Sequence, residues 1–180
     1  LIQRAIKFEQ KNFFFFFALG SPWVQFNGQT LNLSHRQIEI LCILALHPHG
    51  IGLEELHYAL YGERSVSLKT LKAELSQLRS LLPHSIEARI YRLSCEVQCD
   101  ILCAEQSLNA NLISSTFSLY KGSFLSKSES PLLSTWRHCF DARLSQLIYQ
   151  IKDIDQLLRI IGQTHDRIDA VQRLLELLPQ

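Results

Sequence analysis

The sequence predicts an α+β protein that begins with a small antiparallel sheet, continues through three helices and a hairpin, and ends in an all-helical region. Three observations support this prediction. Extended segments flank an Asn27-Gly28 pair, and apolar residues then recur at helical spacing between Ser34 and Leu82. Helical spacing resumes at Asp100 and continues to the end of the chain.

The predicted sheet lies within residues 13–33, where the runs FFFFFALG, WVQF and TLNL are short and extended in character. An Asn-Gly pair between such runs predicts a tight hairpin, because both turn residues need a positive φ. The five phenylalanines at positions 13–17 place aromatic rings on both faces of their strand. We expect the outer face to be covered, either by the helical region or by a domain outside this chain.

Two helices are expected to follow the sheet. Ser34 is the predicted N-cap of the first helix, which breaks at residues 47–50. The second helix covers residues 53–60 and ends at Tyr61-Gly62.

The third helix is expected over residues 67–82, with Pro83 as its stop. Its leucines recur every three or four positions and therefore form one inward stripe. The stripe consists of Leu68, Leu71, Leu75, Leu78 and Leu82. Residues 86–98 are β-branched and aromatic, which favours a hairpin.

From Asp100 onward the pattern is helical throughout. Ser130-Pro131 opens a long helix that runs past Leu147, because Pro suits the first helical position. The other helices are expected over residues 100–109, 112–120 (stopping at Gly122), 154–161 (closed by Gly162) and 166–178 (closed by Pro179). The sequence therefore predicts two domains, over residues 12–98 and 100–180.

Composition and context indicate a soluble segment of a longer protein. The chain contains no Met and begins at Leu1, so we expect further sequence before it. Its longest apolar run, residues 13–19, is much shorter than the roughly 20 residues that span a bilayer, and no membrane partner is expected. The five cysteines are odd in number and lack paired spacing, which favours a reducing compartment, the cytoplasm.

Charge is balanced over the chain but not along it. The 18 Lys and Arg residues nearly match the 17 Asp and Glu residues, so no global field indicates nucleic acid. The segment from Arg64 to Arg92 instead carries six basic residues against two acids, an excess of four. The basic residues are Arg64, Lys69, Lys72, Arg79, Arg89 and Arg92, and the acids are Glu74 and Glu87.

The outward face of the third helix is short, hydroxylated and cationic at its edges. Short side chains allow a helix to lie deep in a DNA major groove, where Gln, Ser and Thr can contact base edges. The expected groove residues are Ser67, Lys69, Thr70, Ala73, Ser76, Gln77 and Ser80. An ordinary solvated helix remains the alternative for this stretch alone.

A third helix that closes a three-helix core and precedes a basic hairpin has the layout of a winged helix. The wing, residues 85–98, would then lie on the DNA backbone, with Arg89 at its tip and Arg92 on its return strand. Lys72 and Arg79 complete the expected phosphate contacts of this region. Ser34, His35 and Arg36, at the start of the first helix, are expected to anchor the backbone as well.

The residues resemble those of the OmpR-type winged-helix output domain of bacterial transcription regulators. LSHRQIEILCILALHPHGIGLEELHYALYGE, residues 33–63, is similar to the family's first two helices, with Tyr61 in place of the usual Trp. SLKTLKAELSQLRSLL resembles the recognition helix, with Leu78-Arg79 at the family's Leu-Arg position. IYRL, residues 90–93, is similar to the family's wing end, although Ile90 replaces a Gly.

The resemblance extends beyond the wing. AEQSLNANLISSTFSLYKGSFLSKSESP resembles the helical bacterial transcriptional activator region of actinobacterial regulators and of longer regulators with a GAF sensor domain. It implies double-stranded DNA as a partner, with RNA polymerase and a second copy of the chain as further candidates. It also implies that a sensor domain, of GAF type, precedes this segment.

No residue pattern indicates an enzyme, a metal site or a cofactor. Cys95, Cys99 and Cys103 recur every four residues, but the first two fall in or near the wing, so the alignment that a metal needs is not expected. The adjacent His138 and Cys139 point about 100° apart on one helix, which does not suit a nucleophile and its base. No Gly-rich phosphate loop is present, and the histidines near Pro48 lack acidic partners.

Two functions of different class follow from the sequence. The first is sequence-specific DNA binding by a transcription regulator, with helix 67–82 in the major groove. The second is a protein-binding winged-helix adaptor without DNA readout, in which the helical region carries the interaction. The operator sequence and the choice between activation and repression are not encoded in any pattern that we recognise.

Overall fold

The structure, a computed structural model, describes residues 13–179. The outer limits of the two predicted domains, residues 12 and 180, lie outside this range. Within it the fold is α+β, as the sequence predicts, with a four-stranded sheet and eight helices. No helix in this part of the chain is long and apolar enough to cross a bilayer.

Three strands open the fold: β1 (Phe13–Phe17), β2 (Trp23–Phe26) and β3 (Gln29–Leu31). They pair as antiparallel neighbours, and the β2–β3 turn has positive φ at both Asn27 and Gly28, as the Asn-Gly pair predicts. The N-terminal hairpin prediction is therefore confirmed.

Three helices follow: α1 (His35–Leu46), α2 (Leu53–Tyr61) and α3 (Leu68–Leu81). Ser34 caps α1 as predicted. Its hydroxyl accepts a bond from the backbone N–H of Gln37, and the Gln37 side chain accepts one from the backbone N–H of Ser34. α3 packs against both α1 and α2.

The wing is shorter than the predicted hairpin over residues 85–98. Its two arms meet at an isolated bridge between Ile86 and Leu93, and residues 86–93 are called the wing below. Residues beyond it form β4 (Glu96–Cys99), which pairs in parallel with β1 and completes the sheet order β3-β2-β1-β4. This edge of β1 would otherwise present unpaired backbone groups, and β4 satisfies them.

The remaining helices are α4 (Asp100–Asn109), α5 (Ile113–Leu119), α6 (Pro131–Gln150), α7 (Ile154–Gln163) and α8 (Ile168–Leu177). Ser130 caps α6 and Pro131 occupies its first position, as predicted.

The prediction that Gly162 closes α7 is wrong. It lies inside the helix, which continues to Gln163, because an exposed glycine weakens a helix without ending it.

The sheet and the helical region share one hydrophobic core. Phe14 and Phe16 are fully buried in a cluster that also contains Ile101, Phe124 and Leu144. Asp100, the first residue of α4, fixes the junction, because its carboxylate accepts bonds from the backbone N–H groups of Ala18 (2.9 Å), Leu19 (2.9 Å) and Ile101 (2.7 Å).

Within residues 13–179, the helical region does not cover the outer face of the sheet. The prediction that it covers the outward-facing phenylalanines is therefore wrong. Phe13, Phe15 and Phe17 are half-buried and do not belong to the core cluster. They shield one another instead: Phe13 meets Phe15 edge-on at 4.5 Å, and Phe17 stacks on Trp23 at 4.6 Å. Covering by another domain stays a prediction.

Candidate nucleic-acid interface

The outward side of α3 is a continuous exposed surface, which we call the ridge. Every member is exposed, and within residues 13–179 no other element covers it. The ridge consists of Ser67, Lys69, Thr70, Ala73, Ser76, Gln77 and Ser80. The structure therefore brings together on one surface all seven residues that the sequence predicts for a major groove.

The inward side of α3 follows the leucine stripe with one exception. Leu71, Leu75, Leu78 and Leu82 are each at most 2% exposed. Leu68 is 37% exposed, so the prediction that it turns inward is wrong. Leu68 is the first residue of α3.

Backbone geometry begins α3 at a defined residue. The Ser67 hydroxyl accepts a bond from the Thr70 backbone N–H at 3.3 Å and lies 3.1 Å from the Thr70 hydroxyl. This cap satisfies one of the free N–H groups at the helix N-terminus. The partial positive charge of that terminus lies at the same end of the ridge as Lys69.

Three of the predicted phosphate-contacting cations have no partner among the described residues. Lys69, Lys72 and Arg89 are exposed, and no ion pair or hydrogen bond occupies their charged groups within residues 13–179. Arg89 lies at the tip of the wing, where its φ of 77° belongs to a tight turn. These three side chains are available to a polyanion.

The other two predicted cations of this region hold the wing. Arg79 donates from Nη2 to the Glu87 carbonyl oxygen at 2.9 Å, and its guanidinium lies 5.3 Å from the centre of the Tyr91 ring. Arg92 pairs through Nε with a Glu87 carboxylate oxygen at 2.8 Å. Both side chains of the Arg92–Glu87 ion pair are exposed, so the pair contributes little to stability. Arg92 can therefore leave Glu87 and pair with another anion at a small cost in free energy.

The start of α1 is organised around a buried carboxylate. Glu39 is 1% exposed; Arg36 pairs with it at 2.6 Å and His35 approaches to 3.4 Å. Arg36 also lies 4.5 Å above the ring of Tyr61, whereas His35 remains exposed. Of the predicted α1 anchors, His35 is therefore freer than Arg36, and the Ser34 hydroxyl is already committed to capping.

The helical region joins the first half on a side remote from the ridge. α6 packs on α1 and α2, and the turn before it makes the polar contacts. Ser130 donates to the Ala59 carbonyl oxygen at 2.7 Å, Glu129 pairs with Arg64 at 2.8 Å, and the hydroxyl of Ser128 donates to the carboxylate of Glu39. α3 thus remains open while its supporting helices are braced.

Sequence reasoning missed the residues that hold the ridge and the wing in place. Gln37 is buried and donates from its amide nitrogen to the Gln77 amide oxygen at 3.4 Å. Tyr91 pairs with Ile51 through two backbone bonds of 2.9 Å. Gly50 has a φ of +90°, and a Cβ there would lie 2.2 Å from the Ile90 side chain. The His-Pro-His-Gly segment indicates the Gly50 turn, but no pattern indicates its contact with the wing.

The cysteine series has no common environment. Cys95 is half-buried, Cys99 buried and Cys103 exposed. Burial, and next the adjacent Asp100 carboxylate, raises the pKa of the Cys99 thiol to about 12, so this thiol stays protonated near neutral pH. Among residues 13–179 no group of three or more His, Cys, Asp or Glu residues is placed to hold a metal ion.

A sheet, a three-helix core with an exposed third helix, and a wing at its side together define a winged-helix fold. The fold matches that of EmbR from Mycobacterium tuberculosis, solved in complex with a low-affinity phosphopeptide. The match has a TM-score of 0.57 at 16% sequence identity and covers 93% of this chain and 55% of that one. At this identity the likeness shows the fold alone.

In sequence, the chain is 28% identical over 156 residues to an uncharacterized 47.3 kDa protein encoded in the thcA 5′ region of Rhodococcus erythropolis. The match includes 86% of this chain but only 36% of that protein. No family model matches the sequence. The chain therefore spans about a third of the curated relative and about half of the structural one.

Proposed function

We propose that this chain is the DNA-binding part of a bacterial, OmpR-like transcription regulator and binds double-stranded DNA with α3 in the major groove. The observation that carries this proposal is the ridge: seven exposed side chains on the third helix of a winged-helix fold, of which five are short, one is cationic and one, Gln77, is a neutral amide. The proposed protein is cytoplasmic and non-catalytic. RNA polymerase and a second copy of the chain are its proposed further partners, and a sensor domain preceding this segment is proposed to control it.

The ridge offers suitable chemistry for base contacts. The Gln77 amide oxygen is held by Gln37, which leaves its NH₂ group to donate to a base acceptor. Ser80 donates its hydroxyl hydrogen to the Ser76 carbonyl at 3.1 Å and retains oxygen lone pairs that can accept from a base amino group. Ala73, one turn before Gln77, permits close approach and can contact a thymine methyl group.

The cations supply the sequence-independent part of the affinity. Lys69, Lys72 and Arg89 are available to phosphates directly, and Arg92 becomes available when it exchanges Glu87 for a phosphate. Three to four neutralised phosphates predict that log K falls with log salt concentration with a slope of about −2.7 to −3.6 for each bound chain.

Fluorescence anisotropy with DNA obtained by binding-site selection would test the proposal at several salt concentrations. Lys69→Ala with Gln77→Ala should weaken specific binding by about tenfold or more and leave salt-sensitive, nonspecific binding. Lys152→Ala with Gln172→Ala, at exposed positions of the helical region, is the matched control and should bind normally. Unchanged specific binding by the Lys69/Gln77 variant would contradict the groove assignment.

A protein-binding adaptor remains the second candidate, because the outer sheet face is apolar and open. Phe13, Phe15, Phe17 and Trp23 form a row on that face, and Trp23 is 42% exposed. For an adaptor, we expect no DNA binding that depends steeply on salt concentration and none that is weakened by substitutions in the ridge. The same anisotropy experiment therefore distinguishes the two candidates.

A further inference from the structure

A cavity of about 750 Å³ lies between the winged-helix half and the helical half. α2 forms one wall through Glu55, Tyr58 and Ala59, and α6 forms the other through residues that include Thr135 and Trp136. His47, after α1, and Glu105, on α4, also line it. We call this space the α2–α6 cavity.

The α2–α6 cavity has the size and apolar character of a small-molecule site. Its volume lies within the roughly 300–1,000 Å³ typical of ligand pockets. The Trp136 ring is fixed in place, because it stacks on Phe140 at 4.9 Å and meets Phe124 edge-on at 4.8 Å. Opposite it, the small side chain of Ala59 leaves room, and Tyr58 at the rim is 63% exposed, unusual for a large aromatic residue.

The charged side chains that line the α2–α6 cavity are the carboxylates of Glu55 and Glu105. No Lys or Arg lines it, and the Glu55 carboxylate has no ion pair or hydrogen bond within residues 13–179. Glu105 is paired only at 3.5 Å, with Arg143. His47 donates a hydrogen bond from Nδ1 to the Ile43 carbonyl oxygen at 2.7 Å.

We propose that the α2–α6 cavity binds a small organic cation that carries an aromatic or similar apolar body. Its ammonium group pairs with Glu55, and its apolar body lies between Tyr58 and Trp136, where aromatic faces also attract cations. Such a ligand contacts α2, which supports α3, and α6, which belongs to the helical half. The proposal concerns a site remote from the ridge and does not depend on DNA binding.

Trp136 provides a direct readout of binding. The described chain contains one other tryptophan, Trp23, so Trp23→Phe leaves Trp136 as the sole reporter. The probes are 4-phenylbutylammonium, the neutral 4-phenylbutanol and the anionic 4-phenylbutyrate, which share one apolar body. The ammonium should saturate the fluorescence change with a dissociation constant of about 1 mM or below. The alcohol should bind about threefold to fivefold more weakly, and the carboxylate more weakly still.

Two substitutions locate the site. Glu55→Gln should reduce the affinity for the ammonium to that for the alcohol, whereas Glu54→Gln, on the same helix but outside the cavity lining, should change neither. Thr135→Phe should place an aromatic ring in the α2–α6 cavity and weaken the binding of all three probes. Thr135 is exposed, so the fold should tolerate the change, which circular dichroism would check.

Several results would overturn the proposal. The first is a fluorescence change that does not saturate with the ammonium up to about 10 mM. The second is an equal affinity of the chain for the ammonium and for the carboxylate. The third is unchanged affinity for the ammonium in either the Glu55→Gln or the Thr135→Phe variant. A change in Trp136 fluorescence caused by an amphipathic helical peptide but not by the ammonium would assign the cavity to a polypeptide instead and would also overturn it. None of these results bears on whether the ridge binds DNA.

Discussion

Asp100→Ala tests the junction between the sheet and the helical region. The Asp100 carboxylate is 6% exposed and accepts from the backbone N–H groups of Ala18 and Leu19, both of which are themselves buried. Alanine would leave these two donors without an acceptor, and each buried unsatisfied donor costs about 1–3 kcal/mol. The substitution also removes the unfavourable free energy of burying the carboxylate, which offsets part of this loss of stability. We therefore expect the free energy of unfolding to fall by about 2–4 kcal/mol.

Urea denaturation followed by circular dichroism would measure this change. For a chain of this size a slope of about 2 kcal/mol/M converts the expected loss into a midpoint shift of about 1–2 M. Asp155→Ala is the matched control, because Asp155 also lies in the first turn of a ten-residue helix but is exposed and accepts no backbone bond from another element. Equal losses in the two variants would refute the assigned role, since they would reflect only the helix dipole.

Three further predictions concern pH, the α3 core and the wing. Burial raises the pKa of the Asp100 carboxyl, although backbone N–H groups oppose the shift. At pH values between the ordinary and the raised pKa, the native chain therefore binds more protons than the unfolded chain. The free energy of unfolding of the wild type, relative to that of Asp100→Asn, should fall as the pH rises through this range, as measured by urea denaturation at each pH. Leu75→Ala should cost about 2–5 kcal/mol and Leu68→Ala less than about 1 kcal/mol in the same denaturation assay; similar losses would contradict the different burial of the two leucines. Gly50→Ala should destabilise by about 1–2 kcal/mol and displace the wing, detectable in thermal unfolding and amide NMR shifts, whereas Gly52→Ala, at the N-cap of α2 with negative φ and open space, should weaken only the helix cap and leave the wing in place.

The helices and the first hairpin were predictable because their signals are local. The Ser34 and Ser130 caps, the Asn27-Gly28 turn and the leucine spacing of α3 each act within a few residues, and each appears in the structure where the sequence places it, except that Leu68 is exposed. The exposed ridge follows from the same spacing, because a helix that buries one stripe must present the opposite one.

The path of the chain after the wing was not predictable in the same way. Residues 96–99 have the composition of a hairpin strand, but they pair in parallel with β1, more than 80 residues earlier in the chain. Likewise, nothing near Arg79 in the sequence indicates that its guanidinium holds the wing through Tyr91 and the Glu87 carbonyl. Both depend on which segments meet in space, and local periodicity carries no information about that.

The sequence by itself determined where the helices and the first hairpin lie and which side of α3 faces outward, because caps, turn residues and apolar periodicity act over a few positions. Only the tertiary structure decided which cations remain available to bind phosphates. Arg36 pairs with Glu39 and Arg79 contacts the wing, whereas Lys69 and Arg89 are unpaired within residues 13–179. The tertiary structure also decided that the two halves form an open cavity between them. Charge pairing and the shape of this space depend on long-range packing, which is set by the whole chain.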